Sequence, residues 1–151
     1  MRIVTCPEEL DAGDHLTDLT VFPAGGITGC PDWQSDVITS LIDQPRLVLV
    51  NPRRENFDTK NPSESLFQIQ WEYRHLRKCD VTLFWFPKET LCPITLYELG
   101  NTAASGRKMI VGCHPEYARL LDVQEQLRLC RPDVKVYLNL NTLISKLENL
   151  R

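Results

Sequence analysis

A chain of 151 residues with a formal net charge of -3 amounts to about one domain, long enough for a compact fold to bury roughly 68 to 70% of its unfolded surface. Its 17 basic residues stand against 20 acidic ones, with short basic spots only at Arg53-Arg54 and residues 74–78, which excludes the clustered basic excess of a nucleic-acid-binding surface. There is no run of 18 apolar residues and no charged-then-apolar leader, so a soluble, cytoplasmic protein is expected, with neither nucleic acid nor membrane as partner.

Residues 1–18 read as an N-terminal leader or, through "RIVTC", as a short edge strand, and residues 19–151 as the domain proper. An apolar strand over 19–24 ends in Gly25-Gly26, and Pro31-Asp32 precedes a helix over 33–44 that turns Val37, Ile38 and Leu41 toward a core. The second strand lies in "RLVLVNP", followed by a polar loop over 52–63. Between 64 and 78 the apolar residues Leu66, Ile69, Tyr73 and Leu76 recur at helical spacing, which predicts one buried helix face. "VTLFWF" is the third strand. Pro93 suits the first turn of a helix that Gly106 closes, because its missing N–H would be unpaired there in any case. A fourth strand in "KMIVGC", a helix over 115–130 with Tyr117 on its apolar stripe, a short strand in "VKVYL" and a helix over 141–150 complete the chain.

Five strands alternate with helices, and the central ones are continuously apolar. That is the pattern of an α/β fold with a parallel sheet covered on both faces. Ligands of such sheets bind beyond the carboxyl ends of the strands. Three strand ends here carry unusual loops: "PAGGITGCPDW", "NPRRENFD" and "PKETLCPITLYELG". In the first, Gly25 and Gly26 let backbone N–H groups approach a ligand closely.

Glu98 is the sharpest candidate for chemistry, set on the helix opened by Pro93 with Ile94 and Thr95 four and three positions before it. The alternative is a solvated surface glutamate. Glu72, after Trp71, is the second carboxylate, or else the partner of Arg74, Arg77 or Lys78 in a surface ion pair. Two convergent carboxylates would suit cleavage of a glycosidic bond.

Arg53 and Arg54 follow a strand terminus, where they either meet an anion or ribose or form a solvated loop; Asn51 and Phe57 in the same loop join the candidate contacts. Trp85 reads as core, whereas Phe86 at its strand end has better access to a flat base. Trp33 is either a helix anchor or a lid over a ring. Asp32 most simply caps the helix that follows. His15, His75 and His114 share no ligand spacing, so no metal is expected, and "AGGITG" lacks the glycine spacing of a dinucleotide loop, so no cofactor is expected. The cysteines form no CxxC pair, and Cys79, Cys113 and Cys130 are expected as reduced, buried thiols.

Taken in order, "VFPAGGI" at 21–27, "WEYRHLRKCDVTLFWF" at 71–86 and "LYELG" at 96–100 resemble the nucleoside 2-deoxyribosyltransferase superfamily, most closely its short deoxyribosyltransferase-like branch. The resemblance covers residues 19–137. It implies a flavodoxin-like (Rossmann-like) three-layer sandwich with a five-stranded sheet of order 2-1-3-4-5. It also implies a homo-oligomer, and attack by Glu98 on the anomeric carbon of a nucleoside or nucleotide, so that the N-glycosidic bond breaks. Glu72 stands where transferases commonly carry an aspartate that assists proton transfer to the base. Two positions depart from the family: Phe22 replaces a frequent tyrosine, and Cys92, six residues before Glu98, replaces an aspartate or a serine that meets substrate. These changes leave three functions open: a deoxyribosyltransferase-like enzyme, a nucleotide N-glycoside hydrolase, and a nonenzymatic module that binds a nucleotide-like ligand.

Overall fold

A computed structural model describes residues 1–55, 58 and 60–150. Its strands are β1 (Arg2–Thr5), β2 (Leu19–Gly25), β3 (Leu47–Asn51), β4 (Val81–Phe86), β5 (Met109–Cys113) and β6 (Val136–Tyr137). The helices are α1 (Asp14–Thr17), α2 (Trp33–Leu41), α3 (Pro62–Lys78), α4 (Pro93–Ala104), α5 (Leu120–Cys130) and α6 (Leu140–Glu148). All strands pair in parallel, in the order β1-β3-β2-β4-β5-β6.

The expected five-stranded, flavodoxin-like sheet of order 2-1-3-4-5 is therefore corrected to six strands in the order 1-3-2-4-5-6. The difference arises at the edge. Arg2–Thr5 pairs with β3 from Arg2↔Val48 to Thr5↔Asn51, giving partners to a row of β3 backbone groups that would otherwise form an open edge. Val4 is fully buried by this pairing, and Arg2 is held by Glu8 at 2.6 Å and Asp14 at 2.7 Å.

Successive residues of the inner strands supply opposite faces of the sheet, as the strand pleat requires. Phe22, Val48, Val50, Phe84, Phe86 and Val111 pack with residues of α3, α4 and α5. Val21, Leu47, Leu49, Leu83, Trp85 and Ile110 pack with α2 and α6. Continuous apolar strands result because both faces are covered.

Three local expectations change. The buried face of α3 consists of Gln68, Trp71, His75 and Leu76, whereas Leu66, Ile69 and Tyr73 are 56%, 62% and 59% exposed. Polar groups take the inner face because their hydrogen bonds are met there: His75 Nδ1 lies 2.8 Å from the Trp71 carbonyl, and His75 Nε2 accepts from the Leu10 N–H at 3.2 Å. The expected helix over 115–130 begins only at Leu120. Tyr117 precedes it, buried, with its hydroxyl donating to the Leu91 carbonyl at 2.8 Å. Cys79 and Cys113 are buried, but Cys130, at the last turn of α5, is exposed. Among the described residues, no helix is long and apolar enough to cross a membrane.

Candidate active site

A cavity of about 420 Å³ opens beyond the carboxyl end of β2. Phe22, Ala24, Gly25 and Gly26 form one wall, continuing into Ile27 and Thr28. Pro52 and Arg54, after β3, form the second, and α3 adds Ser65, Gln68, Ile69 and Glu72. The first turn of α4 contributes Pro93, Ile94 and Thr95, and one turn further Glu98. Ile94, Thr95 and Glu98 lie together because helix positions three and four apart share a face.

Gly25 is required by space. A Cβ there would collide with the Trp85 carbonyl and the Trp33 ring, so the backbone of β2 lies directly on the tryptophan beneath it. Trp33 is buried in the core on the other face of the sheet, and its indole N–H donates to the Gly26 carbonyl at 2.9 Å. This bond holds the cavity wall from below.

Glu72 and Glu98 are both half-buried on the same cavity. Burial, and then the charge of Glu72, push the Glu98 carboxyl up to about 8, against a smaller opposing effect from Arg77. Glu72 is also raised, mainly by burial, and less so because the Gln68 amide donates to its Oε1 at 2.8 Å. The charge of Glu72 thus couples the titration of Glu98 to its own. Around neutral pH Glu98 retains its proton.

Gln68 uses its whole amide. Nε2 donates to the Pro52 carbonyl at 2.9 Å as well as to Glu72, and Oε1 accepts from Arg54 Nη1 at 3.3 Å. Arg54 also lies 3.9 Å from Glu64. A chain of contacts therefore runs from the β3 loop to Glu72.

Of the residues singled out from the sequence, Gly25, Gly26, Arg54, Glu72 and Glu98 line the cavity together. Others lie elsewhere. Asp32 caps α2, accepting from the Ser35 N–H at 3.1 Å. Arg53 donates to the Pro31 carbonyl at 3.2 Å and to Gln34 Oε1 at 3.1 Å, fastening the loop after β2. Asn51 Oδ1 accepts from the Arg53 N–H at 3.1 Å. Phe86 is fully buried with its ring centroid 5.1 Å from that of Tyr117. Cys92 is buried at the start of α4, with φ 47°. Phe57 falls outside the described residues. Sequence reading passed over Pro52, Ser65 and Gln68; the four-residue step from Gln68 to Glu72 on a predicted helix was the signal available for the last.

A family model described as "Nucleoside 2-deoxyribosyltransferase like" matches residues 18–117, a span that contains the whole cavity lining. No curated protein matches the chain.

Proposed function

The chain belongs to the nucleoside 2-deoxyribosyltransferase-like family, and from that premise we propose that it cleaves the N-glycosidic bond of a nucleoside or nucleotide with Glu98 as nucleophile. The observation that carries this reading is the convergence of Glu98 and Glu72 on one cavity, with burial lifting both carboxyls and the charge of Glu72 lifting Glu98 further. The reaction requires one proton on the pair, carried by Glu72 when Glu98 attacks. Glu98 first gives up the proton it holds at neutral pH; its ionised oxygen then attacks the anomeric carbon, the bond to the base nitrogen breaks, and Glu72, protonated in the reacting form, gives its proton to the departing base. The sugar is then held as an ester of Glu98. A second base or water attacks the same carbon, returns a proton to Glu72 and frees Glu98.

Burial serves this chemistry because a carboxylate in a dry cavity is held in position without a hydration shell to shed. Gln68 fixes Glu72 through its amide, and Phe22 and Ala24 supply apolar wall. Hydrolysis of a nucleotide is the second reading, favoured by Arg54 at the cavity and by the first turn of α4, whose backbone N–H groups suit an anion.

The exposed Ile69 and Tyr73 of α3 and Ile94 and Tyr97 of α4 support a homo-oligomer. These helices are adjacent, since Arg77 of α3 donates to Asn101 of α4 at 3.1 Å, and Ile69 and Ile94 also line the cavity. A second copy seated on this face would cover the mouth of the site.

The test is chromatographic turnover of mixed nucleosides and nucleoside monophosphates, each with and without an acceptor base, beside Glu98→Ala. Release or exchange of base that disappears in the variant is the expected result, and dependence on acceptor separates transfer from hydrolysis. Folded protein that binds members of the panel but turns none over would overturn the enzymatic reading in favour of a ligand-binding module.

A further inference from the structure

Cys30 and Cys92 are far apart in sequence but meet at the edge of the cavity. Cys30, half-buried, follows the turn at Gly29, where φ is 73°; Cys92, buried, precedes α4 in a left-handed backbone conformation, φ 47° and ψ 56°. Both sulfurs contact the same hydroxyl: Thr90 Oγ1 is 3.5 Å from Cys30 Sγ and 3.2 Å from Cys92 Sγ. They also converge on Gly26, where an added Cβ would meet Cys30 Sγ at 2.6 Å and Cys92 Sγ at 2.8 Å. Their carbonyl contacts, to Thr28 and Thr90, are longer, at 3.7 and 3.6 Å.

We propose that Cys30 and Cys92 are a redox-modification site, forming a reversible disulfide when a peroxide reaches the exposed side of Cys30. The Cys30 sulfur attacks one peroxide oxygen, the O–O bond breaks, and water leaves, giving a sulfenic acid at Cys30. The Cys92 sulfur then displaces the hydroxyl as a second water and the S–S bond forms. Two thiols are oxidised by two electrons, and one peroxide is reduced to two waters. A thiol reductant reverses the bond by exchange.

Gly26 and Pro93 both line the cavity, and each adjoins this pair: Gly26 in space, Pro93 in sequence. The bond would staple the loop after β2 to the start of α4, fixing that end of the cavity. It stands independently of the reaction proposed above.

The experiment uses the full chain carrying Cys130→Ser, so that the exposed thiol of α5 does not join molecules to one another. The protein is treated with hydrogen peroxide, its remaining thiols are alkylated, and intact mass and peptide maps are recorded before and after reduction. The expected result is a loss of about 2 Da before alkylation, for the two hydrogens removed, with a linked Cys30–Cys92 peptide that dithiothreitol releases. Cys30→Ser and Cys92→Ser, each checked for folding by thermal melting, should yield no such link. Two results would overturn the proposal: Cys30 oxidised to sulfinic acid while Cys92 remains open to alkylation, or a bond from Cys92 to Cys113 instead.

Discussion

The Gln68 amide donates to Glu72 Oε1 at 2.8 Å while holding the Pro52 carbonyl at 2.9 Å, so one buried side chain ties a candidate catalytic carboxyl to the loop after β3. Gln68→Met keeps much of the volume but removes both donors. Stability should fall by about 1 to 3 kcal/mol, the usual cost of leaving buried acceptors unpaired. With the proposed reaction in hand, turnover should also drop about tenfold, and the limb of its pH profile set by Glu72 should move upward, because the Gln68 hydrogen bond lowers the Glu72 pKa. Denaturant unfolding and kcat/KM against pH measure the two effects; an unmoved pH profile would reduce Gln68 to a packing residue.

Glu72→Gln removes the charge that helps to raise Glu98. The Glu98 carboxyl should then titrate below about 8, though still above the usual 4.5, because burial is the larger cause and persists. Carbon-13 NMR of labelled glutamate reads this directly. In the unaltered protein, Glu98 holds its proton up to about 8 whereas an unfolded glutamate releases it near 4.5. The folded state thus binds the extra proton, its stabilising contribution is complete below about 4.5, and it is lost as pH rises to about 8. After discounting for solvent screening, the loss should be about 1 to 3 kcal/mol. Glu98→Gln should flatten the slope across that window in denaturant titrations.

Gly25→Ala places a methyl group against the Trp85 carbonyl and the Trp33 ring. Backbone cannot yield as a flexible side chain can, so the expected cost is about 2 to 4 kcal/mol. Differential scanning calorimetry checks this. Gly100→Ala is the contrasting case: nothing lies within 4 Å of its Cβ, and helix propensity should make the change neutral or favourable.

Tyr97→Glu should shift the proposed homo-oligomer toward monomer, since Tyr97 is 73% exposed beside Ile94 on α4. Sedimentation velocity at several concentrations provides the measurement. A sedimentation coefficient equal to that of the unaltered protein at every concentration would remove this face from consideration.

What the sequence revealed depended on whether a local pattern carried the physics. The inner strands were legible from "VTLFWF" and "RLVLVN", because burial on both sides leaves no polar alternation. The edge strand Arg2–Thr5 was ambiguous, since its only strong demand is a partner far along the chain, β3. On α3 the aliphatic stripe pointed to the wrong face: Trp71, His75 and Gln68 can be buried once distant groups satisfy them, and those groups are invisible in a window of one helix. Glu98 could be placed relative to Ile94 and Thr95 because Pro93 fixes where the helix starts. Arg53 and Arg54 could not be told apart by composition. One braces the Cys30–Gln34 region and the other lines the cavity, a division set by the turn that Asn51 makes with the Arg53 N–H.

Trp33 lies in the layer opposite the cavity, yet its indole N–H ends on the carbonyl of a cavity-wall residue, Gly26. The protein thereby carries an optical gauge wired to its candidate site. In a chain with Trp71 and Trp85 replaced by phenylalanine, ligand entry that strains or relaxes the Gly26 carbonyl would be registered as a shift in emission from the far side of the sheet, without a label and without any need for turnover.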